Sequence, residues 1–300
     1  MRALRRAKSI GRRVGHWYRH YRALRLFRRS LEDGKPVNPR PECPLIVIGM
    51  HRSGTSLLAR QFEDLGVFMG KWQGKNTNEA MFFRHRNQLL LSLAHASWDN
   101  PDAFLRALEN SDWRRAFARV AAGDLGSIRT FNFLPPKELA RFTPSQHQFW
   151  GFKDPRSSLT LPVWCDIFPN AKIINIVRDG NAVASSLFER SMKQLRDGSG
   201  MSLVSLDPAM GIKLWAEYVL TAHSYCASLP QDRYLEIRYE NLVQKPEAVL
   251  LNIADFIGLN ADSDQLQKAA SRVNRPQRSV EPSGPVCENA QKALELYGYL

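Results

Sequence analysis

The chain has 300 residues, 44% of them hydrophobic, enough to close a core without disulfide or metal staples. No apolar run approaches the roughly 18 residues of a membrane-spanning helix. The four cysteines (Cys43, Cys165, Cys226, Cys287) are scattered with no C-x-x-C, which excludes a disulfide framework or zinc ribbon and suits a reducing compartment. The net charge of +13 belongs to one end: residues 1–30 hold eleven Lys or Arg and no acid, whereas the other 270 carry 31 basic and 29 acidic side chains.

That leader reads as a basic amphipathic helix. Ile10, Val14, Trp17, Tyr21, Leu24 and Leu31 recur mainly at spacings of three, four and seven, and Arg12, Arg13, Arg19, Arg22, Arg25, Arg28 and Arg29 largely occupy the other face. Such a helix can lie in a membrane interface, pack its stripe on the protein body, act as a transit peptide or serve as a nucleic-acid arm, and the pattern leaves these open. Arginines interrupt every apolar core that a secretory signal would need. Residues 31–44, with four prolines, read as a linker.

The remainder, 45–300, reads as one α/β domain. Leu45–Ile48 is a short buried strand, Ser53–Leu65 a helix, and FWGF (149–152), KIINIV (172–177) and RYLEIRY (233–239) are three further strands. Helices are expected over 181–195, 209–229 and 246–258, the last starting on Pro246. Strands alternating with helices predict a central, mainly parallel sheet covered on both faces, with ligands beyond the strands' carboxyl ends. Residues 73–147 form a helical insertion expected to supply the acceptor-side wall.

The turn after the first strand reads IVIGMHRSGTSLLARQF (46–62). Gly49 and Gly54 stand five apart, as in a phosphate-binding loop, but Thr55 occupies the place of the lysine that reaches a triphosphate. A loop between strand and helix gathers backbone N–H groups with the helix dipole behind them. Arg52 adds a fixed cation, and Ser53, Thr55 and Ser56 add hydroxyls. This is an anion cradle. A second has the same construction in IINIVRDGNAVASSLFER, where Arg178 ends a strand, Asp179 can cap the next helix and Ser186 follows Arg178 by eight residues.

In that order, GMHRSGTSLLAR and the Arg178/Ser186 pair resemble the two cofactor segments of the sulfotransferases that use 3′-phosphoadenosine 5′-phosphosulfate (PAPS). The resemblance implies a three-layer fold like that of the P-loop NTPases, and a PAPS site built from Arg52, Ser53, Gly54, Thr55 and Ser56 on the 5′ side and Arg178 and Ser186 on the 3′-phosphate. GFKDPRSS (151–158) is similar to the matching segment of tyrosylprotein and bacterial sulfotransferases, which implies that Lys153 sits near the transferring group; Arg156 can help position a ligand or pair with Asp154. RYLEIRYENLVQKPEAVL echoes a segment common in these enzymes, with Glu240 as a structural carboxylate. RVNRPQRS (272–279) lies where members often close a basic loop over the cofactor, which brings in Arg275 or Arg278.

One landmark departs from the pattern. Many related bacterial enzymes place an Asn, an aromatic pair and then a Glu after the first helix, and here NEAMFFRHRNQLLL has Arg84 at that Glu. Glu79, His85 and His51 are the remaining candidates for a general base. The resulting expectation is a cytoplasmic PAPS-dependent sulfotransferase, needing no metal, that acts on a hydroxyl or amine of a saccharide, glycolipid or similar acceptor. It would be peripheral at the inner face of the membrane if the leader binds there; nucleic acid is not an expected partner. A divergent P-loop kinase or nucleotide hydrolase, and a non-catalytic membrane-associated nucleotide-binding module, remain as alternatives.

Overall fold

A computed structural model describes residues 2–70, 78–123, 125, 149–199, 202–273 and 287–300, with side chains at the N-terminal end from Trp17 onward. Helix α1 (Arg2–Asp33) leads to β1 (Leu45–Ile48) and α2 (Thr55–Asp64). Three helices follow, α3 (Met81–Leu93), α4 (Asp102–Glu109) and α5 (Ser111–Ala122), before β2 (Gly151–Lys153), α6 (Ser157–Ile167), β3 (Lys172–Val177) and α7 (Gly180–Arg196). The chain continues through α8 (Pro208–Cys226), β4 (Tyr234–Arg238), α9 (Tyr239–Gln244), α10 (Pro246–Ile257), α11 (Ser263–Ala270) and α12 (Glu288–Leu296).

The sheet is parallel throughout, in the order β2-β1-β3-β4, with Leu45 opposite both Gly151 and Lys172 and Ile173 opposite Tyr234. Its period of two explains the three layers. Ile46, Ile48, Ile173 and Val177 join one core with Phe83 of α3, Trp164 of α6, Val183 of α7 and Trp215 of α8. Leu45, Val47, Ile174 and Ile176 point the other way, into a core with Phe62 of α2, Leu250 of α10 and Ala269 of α11. Both faces are therefore sealed, and the open edge of the structure is the carboxyl end of the strands. β1 and β3 occupy the predicted spans; β2 begins two residues later than FWGF suggests, because Gly151 is the first residue paired along β1.

The leader departs further from expectation. α1 packs on α5 and α3 through Ala23, Leu26, Phe27 and Ser30, with Phe27 and Phe117 rings 4.8 Å apart. Trp17, Tyr21, Leu24 and Leu31 of the predicted stripe are exposed instead, while the side chains of Ile10 and Val14 lie outside the described set. The helix has two apolar flanks, and the narrower one, with smaller residues, is the one that docks. Residues 34–44 then run along the body, where Arg40 N donates to Ile167 O (2.7 Å). Among the described residues no helix is long and apolar enough to cross a membrane.

Candidate active site

The loop after β1 is wound by three left-handed residues: Gly49 (φ 138°), Arg52 (φ 72°) and Gly54 (φ 98°). A Cβ on Gly49 would meet Ile176 O at 2.4 Å, and one on Gly54 would meet the Tyr239 ring at 2.4 Å, so both positions require glycine. Arg52 holds a backbone conformation that an L-residue rarely adopts, which is the strain expected of a functional loop. No side chain caps α2, whose first residues Thr55 and Ser56 line the adjoining cavities. Ser53 Oγ is buried with no hydrogen-bond partner. A buried hydroxyl, an uncapped helix start and a guanidinium are a donor set that fits an anionic group.

Arg52 and Arg178 converge. Arg178 Nη1 donates to Arg52 O (3.0 Å), its guanidinium lies 4.7 Å from the centre of the Tyr239 ring, and both arginines line a cavity of about 400 Å³. Asp179 caps α7 as predicted, accepting from Asn181 N (2.9 Å). Arg60 and Arg272 line the same cavity, so it has four guanidiniums and, among the described residues, no carboxylate in its wall. Arg60 falls one turn after Ser56 on α2, a spacing legible in the sequence. Ser186 accepts from Arg52 Nε (2.9 Å) and lines a neighbouring cavity of about 570 Å³. Arg178 and Ser186 thus meet on Arg52 rather than on each other.

The second cavity shares Arg52, Thr55 and Ser56 with the first and adds Glu79, Lys153, Arg190 and Lys193. Lys153 closes β2 and is 1% exposed; its Nζ donates to Ser56 Oγ (3.2 Å) and lies 3.9 Å from Glu79 Oε1. A lysine therefore does reach the loop, from the next strand over. Burial lowers its pKa to about 8, against the opposing pull of Glu79 and Asp154. Glu79 is also held by Arg84, whose Nε is 3.5 Å from Oε2. Arg84, the residue that breaks the familiar pattern, positions the neighbouring carboxylate.

Asp154, which follows Lys153, is fixed by a buried polar hub on α3. Asn87 Nδ2 donates to Asp154 Oδ2 (2.9 Å) and Ser157 Oγ (3.0 Å), while its Oδ1 accepts from Thr160 (2.8 Å) and Trp164 (2.7 Å). Asp154 also accepts from the Arg156 backbone and guanidinium, so Arg156 pairs structurally, and this strand-end acid is fully engaged. Glu240 is structural as expected: it accepts from Asp179 N (3.1 Å) and the Tyr299 hydroxyl (2.7 Å).

The histidines separate. His51 is buried at the second cavity, edge-on to Trp98 (4.8 Å), with Nε2 unpartnered; burial, then the charges of Arg156 and Arg190, hold its pKa well below the usual value and keep it neutral. His85 lies on the exposed side of α3 and lines neither cavity. Arg275 and Arg278 lie outside the described residues. Arg190 and Lys193 went unremarked in the sequence although they follow Ser186 by one and two helical turns, on the same face.

A profile of the sulfotransferase family matches residues 44–263. The ω-hydroxy-β-dihydromenaquinone-9 sulfotransferase Stf3 of Mycobacterium bovis is 28% identical over 302 aligned positions, which cover 85% of this chain and 75% of Stf3. A putative protein-tyrosine sulfotransferase of Caenorhabditis briggsae is 31% identical over 114 residues, 38% of either protein, and a Caenorhabditis elegans counterpart is matched over 42% of its length. The chain thus aligns with well under half of those tyrosine sulfotransferases. In fold it is similar to the sulfotransferase domain from the curacin biosynthetic pathway (TM-score 0.55, 19% identity, covering 88% of this chain and 99% of that domain). It is also similar to Stf1 of Mycobacterium tuberculosis H37Rv (TM-score 0.54, 14% identity, covering 94% and 82%). The family profile spans both anion loops and the Lys153 strand, which supply most of the residues lining the paired cavities, and the chain belongs to the sulfotransferase family.

Proposed function

We propose that the protein transfers a sulfuryl group from PAPS to a hydroxyl or amine of a saccharide, glycolipid or similar acceptor. One observation carries this reading: Arg52 and Arg178 share a cavity whose wall continues, through Thr55 and Ser56, into a second one holding Lys153 and Glu79. When bound, PAPS supplies the sulfuryl group and departs as adenosine 3′,5′-bisphosphate. Arg52, Arg60, Arg178 and Arg272 give the first cavity the charge to hold that polyanionic carrier. Protonated Lys153, buried beside Ser56, offsets negative charge developing next to the loop. Glu79, held by Arg84 and Lys153, takes the acceptor's proton. The unpartnered Nε2 of His51, in the same cavity, is suited to orienting the acceptor. We place the enzyme in the cytoplasm, with residues 1–30 as a peripheral contact at the inner membrane face.

A kinase would need a cation at position 55 and an acid free for Mg²⁺, but Thr55 and the engaged Asp154 provide neither. Thermal shift tests the reading. Adenosine 3′,5′-bisphosphate raises the melting temperature whereas ATP with Mg²⁺ does not, and the reverse pattern would overturn it. Transfer of labelled sulfate from PAPS to a panel of hydroxyl and amine acceptors then separates an enzyme from a binding module.

A further inference from the structure

A third cavity, of about 320 Å³, lies between α1 and the helices beneath it. Arg19, Arg22, Arg25 and Arg29 of α1 and Arg86 of α3 line it, and among the described residues no Asp or Glu does. Its apolar floor includes Leu26 and Leu89. Arg86 is 6% exposed and its guanidinium stands 5.8 Å from the centre of the Phe82 ring, so the cavity holds a buried cation as well as exposed ones at the rim. Five guanidiniums facing one space give it a positive field that draws an anion.

The adjacent flank of α1 supplies a second, independent feature. Trp17, Tyr21 and Leu24 are 66%, 46% and 44% exposed, and Trp17 and Tyr21 stack at 5.6 Å. Aromatic rings with one wet edge, beside a row of arginines, suit the headgroup layer of a bilayer. Eleven basic residues and no acid over residues 1–30 complement an anionic leaflet.

We propose that this groove binds the phosphate of an anionic phospholipid headgroup, with Trp17, Tyr21 and Leu24 seated in the interface beside it. The proposal rests on the membrane contact read above for residues 1–30 and gives that contact a site and a ligand. It also places the bilayer near the chemistry: α3 starts two residues after Glu79, and Arg86 lies roughly 8 Å further along its axis at 1.5 Å per residue.

Co-sedimentation of the full chain with vesicles tests it. Binding is expected to vesicles containing phosphatidylglycerol and not to phosphatidylcholine alone, and to weaken with salt. Arg22 and Arg29 are exposed, so Arg22→Gln with Arg29→Gln leaves the fold and bisphosphate affinity intact; one substitution weakens vesicle binding about fivefold and both about thirtyfold. A chain that binds no vesicle overturns both the site and the membrane contact, and leaves sulfuryl transfer untouched. Vesicle binding that survives the double substitution but is lost in Trp17→Ser/Tyr21→Ser overturns the headgroup site alone. Inorganic pyrophosphate stabilising the wild type more than the double variant, without any vesicle binding, assigns the groove to a free phosphate and overturns the lipid. RNA displacing the vesicles from the same arginines overturns it too.

Discussion

The two cavities that meet at Arg52 are both positive, but among the described residues only one has acids in its wall. The first is lined by Arg52, Arg60, Arg178 and Arg272, and Asp64, outside the wall, pairs with Arg272 at 2.6 Å. The second mixes Arg52, Lys153, Arg190 and Lys193 with Glu79 and Glu189. The first cavity, with four guanidiniums and no acid in its wall among the described residues, has no group that can exchange a proton near neutrality. The second, with four cations against two carboxylates, has a smaller positive excess and contains a lysine whose pKa is brought down to about 8 and a buried carboxylate within 4 Å of it. On the proposed function, the contrast separates a site for holding a carrier from a site for reacting with it.

The sharpest way to break that separation is Glu79→Gln. It should lower kcat by about 10²–10⁴-fold, the usual contribution of a general base, and leave bisphosphate affinity by calorimetry almost unchanged. A variant with normal kcat would move proton transfer to another group. Arg52→Ala and Arg178→Ala act on the other side: each should weaken bisphosphate binding by about 10- to 150-fold, on the order of 1.5–3 kcal/mol for a contact to a charged group. Equal losses in kcat at saturating cofactor for Arg178→Ala would mean that the cavities are not separable.

The pH profile gives a smaller effect. If protonated Lys153 is required, kcat/KM for free enzyme falls as pH rises through about 8, by about tenfold per unit well above that value. The bound polyanion pushes the lysine's pKa up, so the kcat limb should lie higher. The sign for stability is opposite. Because the folded-state value lies below the unfolded value of about 10.4, the native state releases this proton first, and the lysine's contribution to stability improves as pH climbs between those values. A melting-temperature series for wild type and Lys153→Met reads it directly. Least affected should be His85→Ala, an exposed substitution outside both cavities, with kcat and stability near wild type, within about 0.5 kcal/mol. A large loss there would return His85 to the chemistry.

Much of this was legible in the sequence because it is local. The strands at 45–48 and 172–177, the loop glycines, the Asp179 cap and Pro246 at the start of α10 are each set by neighbours within a few residues. The site was readable where two such local signals fell in order along the chain. It was opaque where partners lie far apart: Glu79, Arg84, Ser56 and Lys153 come from three segments, and no spacing predicts that Arg84 steadies Glu79 rather than replacing it. The leader was legible as a helix, but the partner of its apolar stripe was left open. Periodicity finds an apolar flank but does not say which flank meets the protein, and here Ala23, Leu26 and Phe27 fit against α5 while Trp17 and Tyr21 stay outside.

By itself, then, the sequence determined the alternation of strand and helix, the two loops shaped for anions and the concentration of charge in the first thirty residues, since these follow from backbone preference and composition over short stretches. Only the tertiary structure decided that Arg52 stands between Arg178 and Ser186, that a lysine on β2 serves the loop after β1, and that five arginines share one groove. Those facts depend on parallel pairing and helix docking, which bring together residues up to 134 positions apart, and no local preference encodes such distances.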